Sequence, residues 1–324
     1  MQNTKRNLNI EGLRGIGLLM VVVFHLFFRY QELYVDTSLS FFGFDSLGFL
    51  GVCIFLLFSS YFLSAKPKGD KYSILAFLKK KILRLWPEYF VGIVIIFFTV
   101  NLSPLPIDKP NYLDLLSNTF FVNGFIGQKY IDGAHWYITI LLGMTIVFSA
   151  LHKFRLTDKW FVYLIWLGCS AVLLKVKIPV LPLLLGGGYV GIICIGAAIY
   201  NLKQRHEKMD CVFWGTTIAA SIGYLVISKS IMQLVCVFIA ALLVLFAINT
   251  KTKFLSNRVL VFLGTVSYAV YIIHQNISYV IEYYLTGLFG SYNLFIPFIA
   301  LVAALLLGTG LYYLIFAVRK KLAI

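Results

Sequence analysis

The sequence predicts an all-α fold: a polytopic membrane protein of about ten transmembrane helices, with both chain ends on the cytoplasmic side. Three observations predict it. First, apolar and aromatic residues make up 60% of 324 positions and only 13% are charged, with a mean hydropathy of +0.88. A water-soluble domain of this length needs far more polar surface. Second, the apolar residues come in blocks close to the roughly 20 residues that cross a hydrocarbon core as helix, rather than in the short alternating segments of a barrel. Third, the basic residues alternate from loop to loop. Six of the 28 Lys and Arg (Arg29, Lys109, Lys129, Lys175, Lys177 and Lys229) lie in or beside the odd-numbered loops, and the other 22 lie on the opposite side. That asymmetry sets orientation in a bilayer.

In order, the spans are expected near Leu13–Tyr30, Leu47–Ala65, Ile82–Val100, His135–Leu151 and Trp160–Leu174, then Ile178–Tyr200, Cys211–Ser228, Ile231–Asn249, Val259–Leu285 and Leu294–Val318. Removing any one would destroy the charge alternation. The first block carries Arg14 and His25 and no small-residue cleavage site, so a cleaved leader is not expected. Residues 1–324 read as a single membrane domain without a soluble appendage. Two connections are long: the basic Lys66–Lys81, and Asn101–Ala134, rich in Pro, Asn and Asp, which suits a lid or a re-entrant segment. The net charge of +15 is thus a topology signal, and no nucleic-acid partner is expected. The five cysteines (Cys53, Cys169, Cys194, Cys211, Cys236) lie in or beside apolar spans without a CxxC. They read as packing residues, and no metal site is expected. Gly186-Gly187-Gly188-Tyr189-Val190-Gly191 matches GxGxxG in an apolar block with no preceding strand, so close helix packing explains it better than dinucleotide binding.

Ionisable residues inside spans are costly and line cavities or pathways. Arg14 and His25 stand eleven residues apart, about three turns plus 20°, so they share one helix face about 16 Å apart along the axis. The plainer explanation is a snorkelling arginine and a histidine bonded to a neighbouring helix; the shared face favours a lined path. Lys81 and Arg84 are i,i+3 neighbours able to face one anion, although lipid headgroups alone explain such a cluster. Pro87, at the start of the expected third span, suits a first turn. Trp136 and Tyr137 after His135 fit an interfacial aromatic belt. Ser267, Tyr271 and His274 share a face of the ninth span, which helix packing explains about as well as function.

Taken together these segments resemble the acyltransferase-3 family of membrane-embedded, acyl-CoA-dependent O-acyltransferases. Glu11-Gly12-Leu13-Arg14, with ten residues before His25, matches the family's R-x10-H first helix. Gly48-Phe49-Leu50-Gly51-Val52 with Phe55 is similar to its G-V-x-x-F-F, departing at Cys53-Ile54. Lys81-Ile82-Leu83-Arg84 followed by Pro87 resembles its [R/K]-x-x-R, with lysine for the more usual first arginine. His135-Trp136-Tyr137 is similar to its W-[YF] stretch, and Leu263-Gly264 through Ser267-Tyr268 and Tyr271 to His274 resembles L-G-x-x-S-Y-x-x-Y-x-x-H. The motifs span essentially the whole chain, in order.

The resemblance implies an acyl-CoA donor, acetyl-CoA being the family's common one, and no tightly bound cofactor. It implies that Arg14, Lys81 and Arg84 meet the CoA phosphates and that His25 is the general base. Glu11, His135, Trp136, Ser267, Tyr268, Tyr271 and His274 become candidates for the cavity or the acceptor side. The implied acceptor is a hydroxyl of a bacterial cell-surface glycan or its lipid-linked precursor, and the implied location the multi-pass lipid environment of the bacterial cytoplasmic (inner) membrane. A transporter or flippase for a polar solute or glycolipid also fits many spans and buried polar residues. It leaves the arginine–histidine line and the basic start of the third span as coincidences, and no inverted repeat of broken helices is evident. A glycan polymerase or ligase is expected to carry a larger outer loop.

Overall fold

The computed structural model describes residues 7–35, 45–65, 72–175, 185–204 and 207–322. Helix α1 spans Leu8–Tyr34, α2 Asp45–Ser64 and α3 Ile74–Leu102. Two short helices follow, α4 (Tyr112–Thr119) and α5 (Asn123–Ile126). Then come α6 (Trp136–Lys153), α7 (Trp160–Lys175), α8 (Val190–Gln204), α9 (Lys208–Ser228), α10 (Ile231–Asn249), α11 (Arg258–Phe289) and α12 (Phe295–Leu322). No strand occurs among the described residues. Eight helices among them are long and apolar enough to cross a membrane. Helices α7 and α8, with 16 and 15 residues, are shorter. The start of the expected span Ile178–Tyr200 lies outside the described residues, as do Lys177 and residues 66–71 of the basic connection. The other nine expected spans each fall on a helix.

Local chemistry starts several helices. Asn7 accepts from the Asn9 N–H at 3.0 Å and Ser73 from the Ala76 N–H at 3.3 Å. Ser230 and Gln233 form a reciprocal capping box at the start of α10. Side-chain exposure is inverted relative to a soluble domain. Ile227, Ile231 and Leu102 are more than four-fifths exposed, whereas Asp132, His274 and Glu282 are fully buried. Only an apolar surrounding favours that arrangement, so the pattern supports a protein seated in lipid.

Helix α1 lies between α2 and α11, and glycines set both spacings. A Cβ at Gly51 would stand 2.5 Å from the Gly17 carbonyl oxygen, and one at Gly264 would stand 1.9 Å from that of Glu11. Backbone therefore touches backbone, as close crossings through small residues require. The glycine-rich stretch expected to serve packing does so at its far end: a Cβ at Gly191 would meet the Ser221 carbonyl oxygen at 2.9 Å. Cys53, Cys194 and Cys236 are buried and all five cysteines are free, in keeping with packing roles.

One feature differs from expectation. Helix α3 begins at Ile74, so Pro87 lies in its interior rather than in its first turn. The reason is that Ser73 caps an amphipathic, lysine-rich extension running ahead of the apolar block. The long connection after α3 is braced internally. Asn111 and Asp114 form a capping box on α4, Asn118 donates to the Lys129 carbonyl at 2.7 Å, and Lys129 pairs with Asp108. The Asp108 hydrogen bond holds the Lys129 ammonium pKa above its usual value.

The charge alternation gives an orientation that labelling tests. In a cysteine-free background, Ile126→Cys, 57% exposed, is expected to react with an impermeant maleimide in intact cells. Gln204→Cys, also exposed, is expected to react only after permeabilisation. The reverse pattern would invert the bundle.

Candidate active site

A cavity of about 780 Å³ opens among α1, α2, α3, α6, α11 and α12, toward the end of the bundle that carries the basic loops. Glu11, Arg14, Lys81, Arg84, Ser267, Tyr268 and Tyr271 line it, so seven of the residues singled out from sequence meet at one place. Arg14 is held by Glu11 Oε2 at 3.2 Å and donates to Ser267 Oγ at 3.2 Å. Ser267 in turn donates to the Gly264 carbonyl at 2.8 Å. The close crossing of α1 and α11 at Gly264 thus places the guanidinium.

Arg319 and Glu88 also line the cavity, and sequence reasoning did not single them out. Proline at 87 lacks an N–H and disturbs the ladder of α3 around it. Two carbonyls just before the proline meet side-chain donors from other helices. Arg319 donates to the Arg84 carbonyl at 2.6 Å and to Glu88 Oε2 at 2.9 Å, and Tyr268 donates to the Leu85 carbonyl at 3.1 Å. Arg319 was hidden in sequence by the ordinary basic cluster Arg319-Lys320-Lys321. Glu88 carried a usable signal, a carboxylate inside a span.

The cavity ends at Val21 and Tyr271, about one helical turn short of His25 and His274. There the two imidazoles face each other with ring centroids 5.0 Å apart. His25 opens a π-helical turn, His25–Arg29, in which the Tyr30 N–H reaches back to the His25 carbonyl. Such turns in otherwise regular helices recur at functional sites, and nothing in the sequence marked this one. His25 Nδ1 lies 3.3 Å from the Tyr279 hydroxyl, and its side chain remains partly accessible. His274 is fully buried. Its Nδ1 donates to the Tyr271 carbonyl at 2.7 Å, which leaves Nε2 as a lone-pair acceptor.

His135 and Trp136 stand away from this cavity. His135 Nε2 donates to the Ile272 carbonyl at 2.8 Å, while Asp132 Oδ2 accepts from the Asn276 N–H at 2.8 Å. Ile272 O and Asn276 N are the partners that a regular helix joins. The Asp132–His135 turn therefore grips α11 across that rung, beside His274, and Tyr271 donates to the Ala134 carbonyl next to it. Trp136 stacks on Tyr189 with centroids 4.8 Å apart. No group of three or more His, Cys, Asp or Glu side chains able to hold a metal ion occurs among the described residues.

The acyltransferase-3 family, described as an acyltransferase domain, matches residues 7–317. The chain belongs to this family. It is an acyltransferase and, from its helices, a multi-pass membrane protein. No curated protein and no solved structure matches the chain. Within the acyltransferase-3 domain the arginine-lined cavity lies where the first-, third- and ninth-span motifs converge.

Proposed function

We propose that the protein is an O-acyltransferase that moves an acetyl group from cytoplasmic acetyl-CoA to a sugar hydroxyl. The acceptor is a bacterial cell-surface polysaccharide or its lipid-linked precursor, and the site of action is the bacterial inner membrane. The observation that carries this reading is the convergence of Arg14, Lys81, Arg84 and Arg319 on one cavity that ends a single turn from His25. A donor that is highly anionic at one end and carries a thioester at the end of a long arm fits that layout. Cations at the mouth meet phosphates, and the arm runs along the apolar wall of Val52, Phe55 and Leu141.

Neutral His25 removes the proton of the acceptor hydroxyl as its oxygen attacks the thioester carbonyl. The C–O bond forms, the C–S bond breaks, and the imidazolium returns the proton to the departing CoA thiolate. No covalent acyl-enzyme is required, and the sequence holds no G-x-S-x-G elbow.

The test is transfer of labelled acetyl from acetyl-CoA to candidate glycans by the purified protein, with donor affinity measured in parallel. Arg84→Ala and Arg14→Ala each remove a charged hydrogen-bond donor worth about 1.5–3 kcal/mol, so donor affinity is expected to fall about tenfold or more. Arg84→Lys is expected to fall between, because the planar fork is lost, and Lys81→Arg to bind as well or better. Normal donor affinity in both alanine variants would remove the phosphate assignment. Uptake or flipping of a glycolipid without any acyl transfer would point to transport instead.

A further inference from the structure

Four residues past Arg84, on the same face of α3 and about 6 Å farther along the helix, stands Glu88. It lines the cavity together with Arg84 and Arg319, and 7% of its side chain is accessible. A carboxylate so placed works against its neighbours, because it sets a negative charge in a wall that otherwise attracts phosphate. Arg319 offsets that charge: its Nη2 donates to Glu88 Oε2 at 2.9 Å and to the Arg84 carbonyl at 2.6 Å. This pairing engages one carboxylate oxygen. The charges that act on Glu88 are those of Arg319 and Arg84, and no side chain but Arg319 donates to it among the described residues. The other oxygen, Oε1, is not shut away either, in contrast to both partnerless oxygens of Glu282.

Other polar groups of the cavity are engaged within the protein. Both carboxylate oxygens of Glu11 accept from Arg14, as does Ser267 Oγ. Tyr268 donates to the Leu85 carbonyl and Tyr271 to the Ala134 carbonyl. Glu88 Oε1 is therefore a charged acceptor that faces the cavity one turn past Arg84. Its chemistry selects the ligand group. A phosphate or a second carboxylate is repelled there, whereas a neutral O–H or N–H is bound, and bound more strongly than by an uncharged acceptor. Coenzyme A carries such donors in the right order. Its pantetheine arm begins, directly after the diphosphate, with a hydroxyl and then an amide N–H. With the phosphates on Lys81 and Arg84, these groups come next along the ligand as Glu88 comes next along α3.

We infer that Glu88 is a donor-binding residue that accepts from the hydroxyl and first amide N–H of the pantetheine arm, and that Arg319 is a positioning residue that holds its carboxylate in place. The inference deepens the acyl-CoA reading and rests on it for the ligand. Purified protein is titrated by calorimetry with coenzyme A and with adenosine 3′,5′-bisphosphate, which has the nucleoside and phosphates but no arm. The unaltered protein is expected to bind coenzyme A the more tightly. Glu88→Ala is expected to weaken coenzyme A about tenfold. It should leave the bisphosphate unchanged or bound more tightly, because a negative charge near the phosphates is gone. Glu88→Asp keeps the charge opposite Arg319 but withdraws the oxygens by one methylene, so it too should weaken coenzyme A and spare the bisphosphate. Glu88→Gln retains an acceptor and should lose less than Glu88→Ala. Arg319→Lys keeps the charge without the two-way grip of Nη2 and should weaken coenzyme A more than the bisphosphate. Bisphosphate binding in each variant reports an intact fold. Coenzyme A bound normally by both Glu88→Ala and Glu88→Asp would overturn the inference. So would an equal fall for the two ligands, the mark of a residue that only supports the fold; in Arg319→Lys it would remove the positioning role. Equal affinity of the unaltered protein for both ligands would remove the arm contact and leave the phosphate cluster standing. Binding of neither would overturn the donor reading itself, and the arm contact with it.

Discussion

His25→Ala and His25→Gln are expected to lower acyl transfer by about 100- to 10,000-fold, the range that a positioned general base supplies. Donor binding should survive, because the cationic cluster proposed to meet the phosphates lies beyond Val21, on the other side of the cavity's end. Three features separate His25 from the other histidines near it. Its ring is partly accessible, whereas His135 and His274 are fully buried. His135 spends its Nε2 on the Ile272 carbonyl, and His274 spends its Nδ1 on the Tyr271 carbonyl. His25 instead faces a hydroxyl, Tyr279, that can donate or accept as its proton moves. A histidine kept only for packing would tolerate glutamine, which retains a hydrogen bond, so a fewfold loss in His25→Gln would count against the assignment. The same pair of substitutions at His274 decides between the two rings. Because its Nε2 carries a free lone pair, His274→Ala abolishing transfer while His25→Gln retains it would move the base to α11 without changing the enzyme class.

Much of this arrangement was legible in the sequence because it rests on periodicity and charge. Arg14 and His25 share a face by arithmetic alone, and the spacing of Lys81 and Arg84 directs both to one side. What lay out of reach depends on contacts between distant segments. The grip of Asp132 and His135 across the Ile272–Asn276 rung joins residues 137 and 144 positions apart, and no local pattern encodes it. The π turn at His25 is a departure from helical register in a stretch whose composition is ordinary for a span. Arg319 looked like any basic residue closing a last helix, and only its contacts with the Arg84 carbonyl and Glu88 show that it reaches back to α3. Glu282 is different: a carboxylate inside a span is a visible signal. The family motif on this helix ends at His274, eight residues before it, and drew no attention to it.

Gly264→Ala is expected to cost stability and donor affinity together. The added Cβ would stand 1.9 Å from the Glu11 carbonyl oxygen and 2.7 Å from its carbon. Both are backbone atoms of a helix, so no rotamer change relieves the contact and α1 must move as a body. Overpacking of this kind costs about 1–3 kcal/mol where side chains can adjust, and a backbone obstacle lies at or above the upper end. The displaced turn carries Glu11 and Arg14, and the Arg14–Ser267 contact at 3.2 Å lengthens as the helices part. The expected result is a lower unfolding temperature in detergent and weaker acetyl-CoA binding in whatever folded fraction remains. Gly310→Ala on α12 is the control, because nothing lies within 4 Å of its would-be Cβ. Replacing a helical glycine by alanine in open space stabilises by about 0.5–1 kcal/mol, so that variant should melt at or above the unaltered protein. Were Gly264→Ala to melt and bind donor as Gly310→Ala does, α1 and α11 would not cross backbone to backbone, and the placement of Arg14 at the cavity would lose its basis.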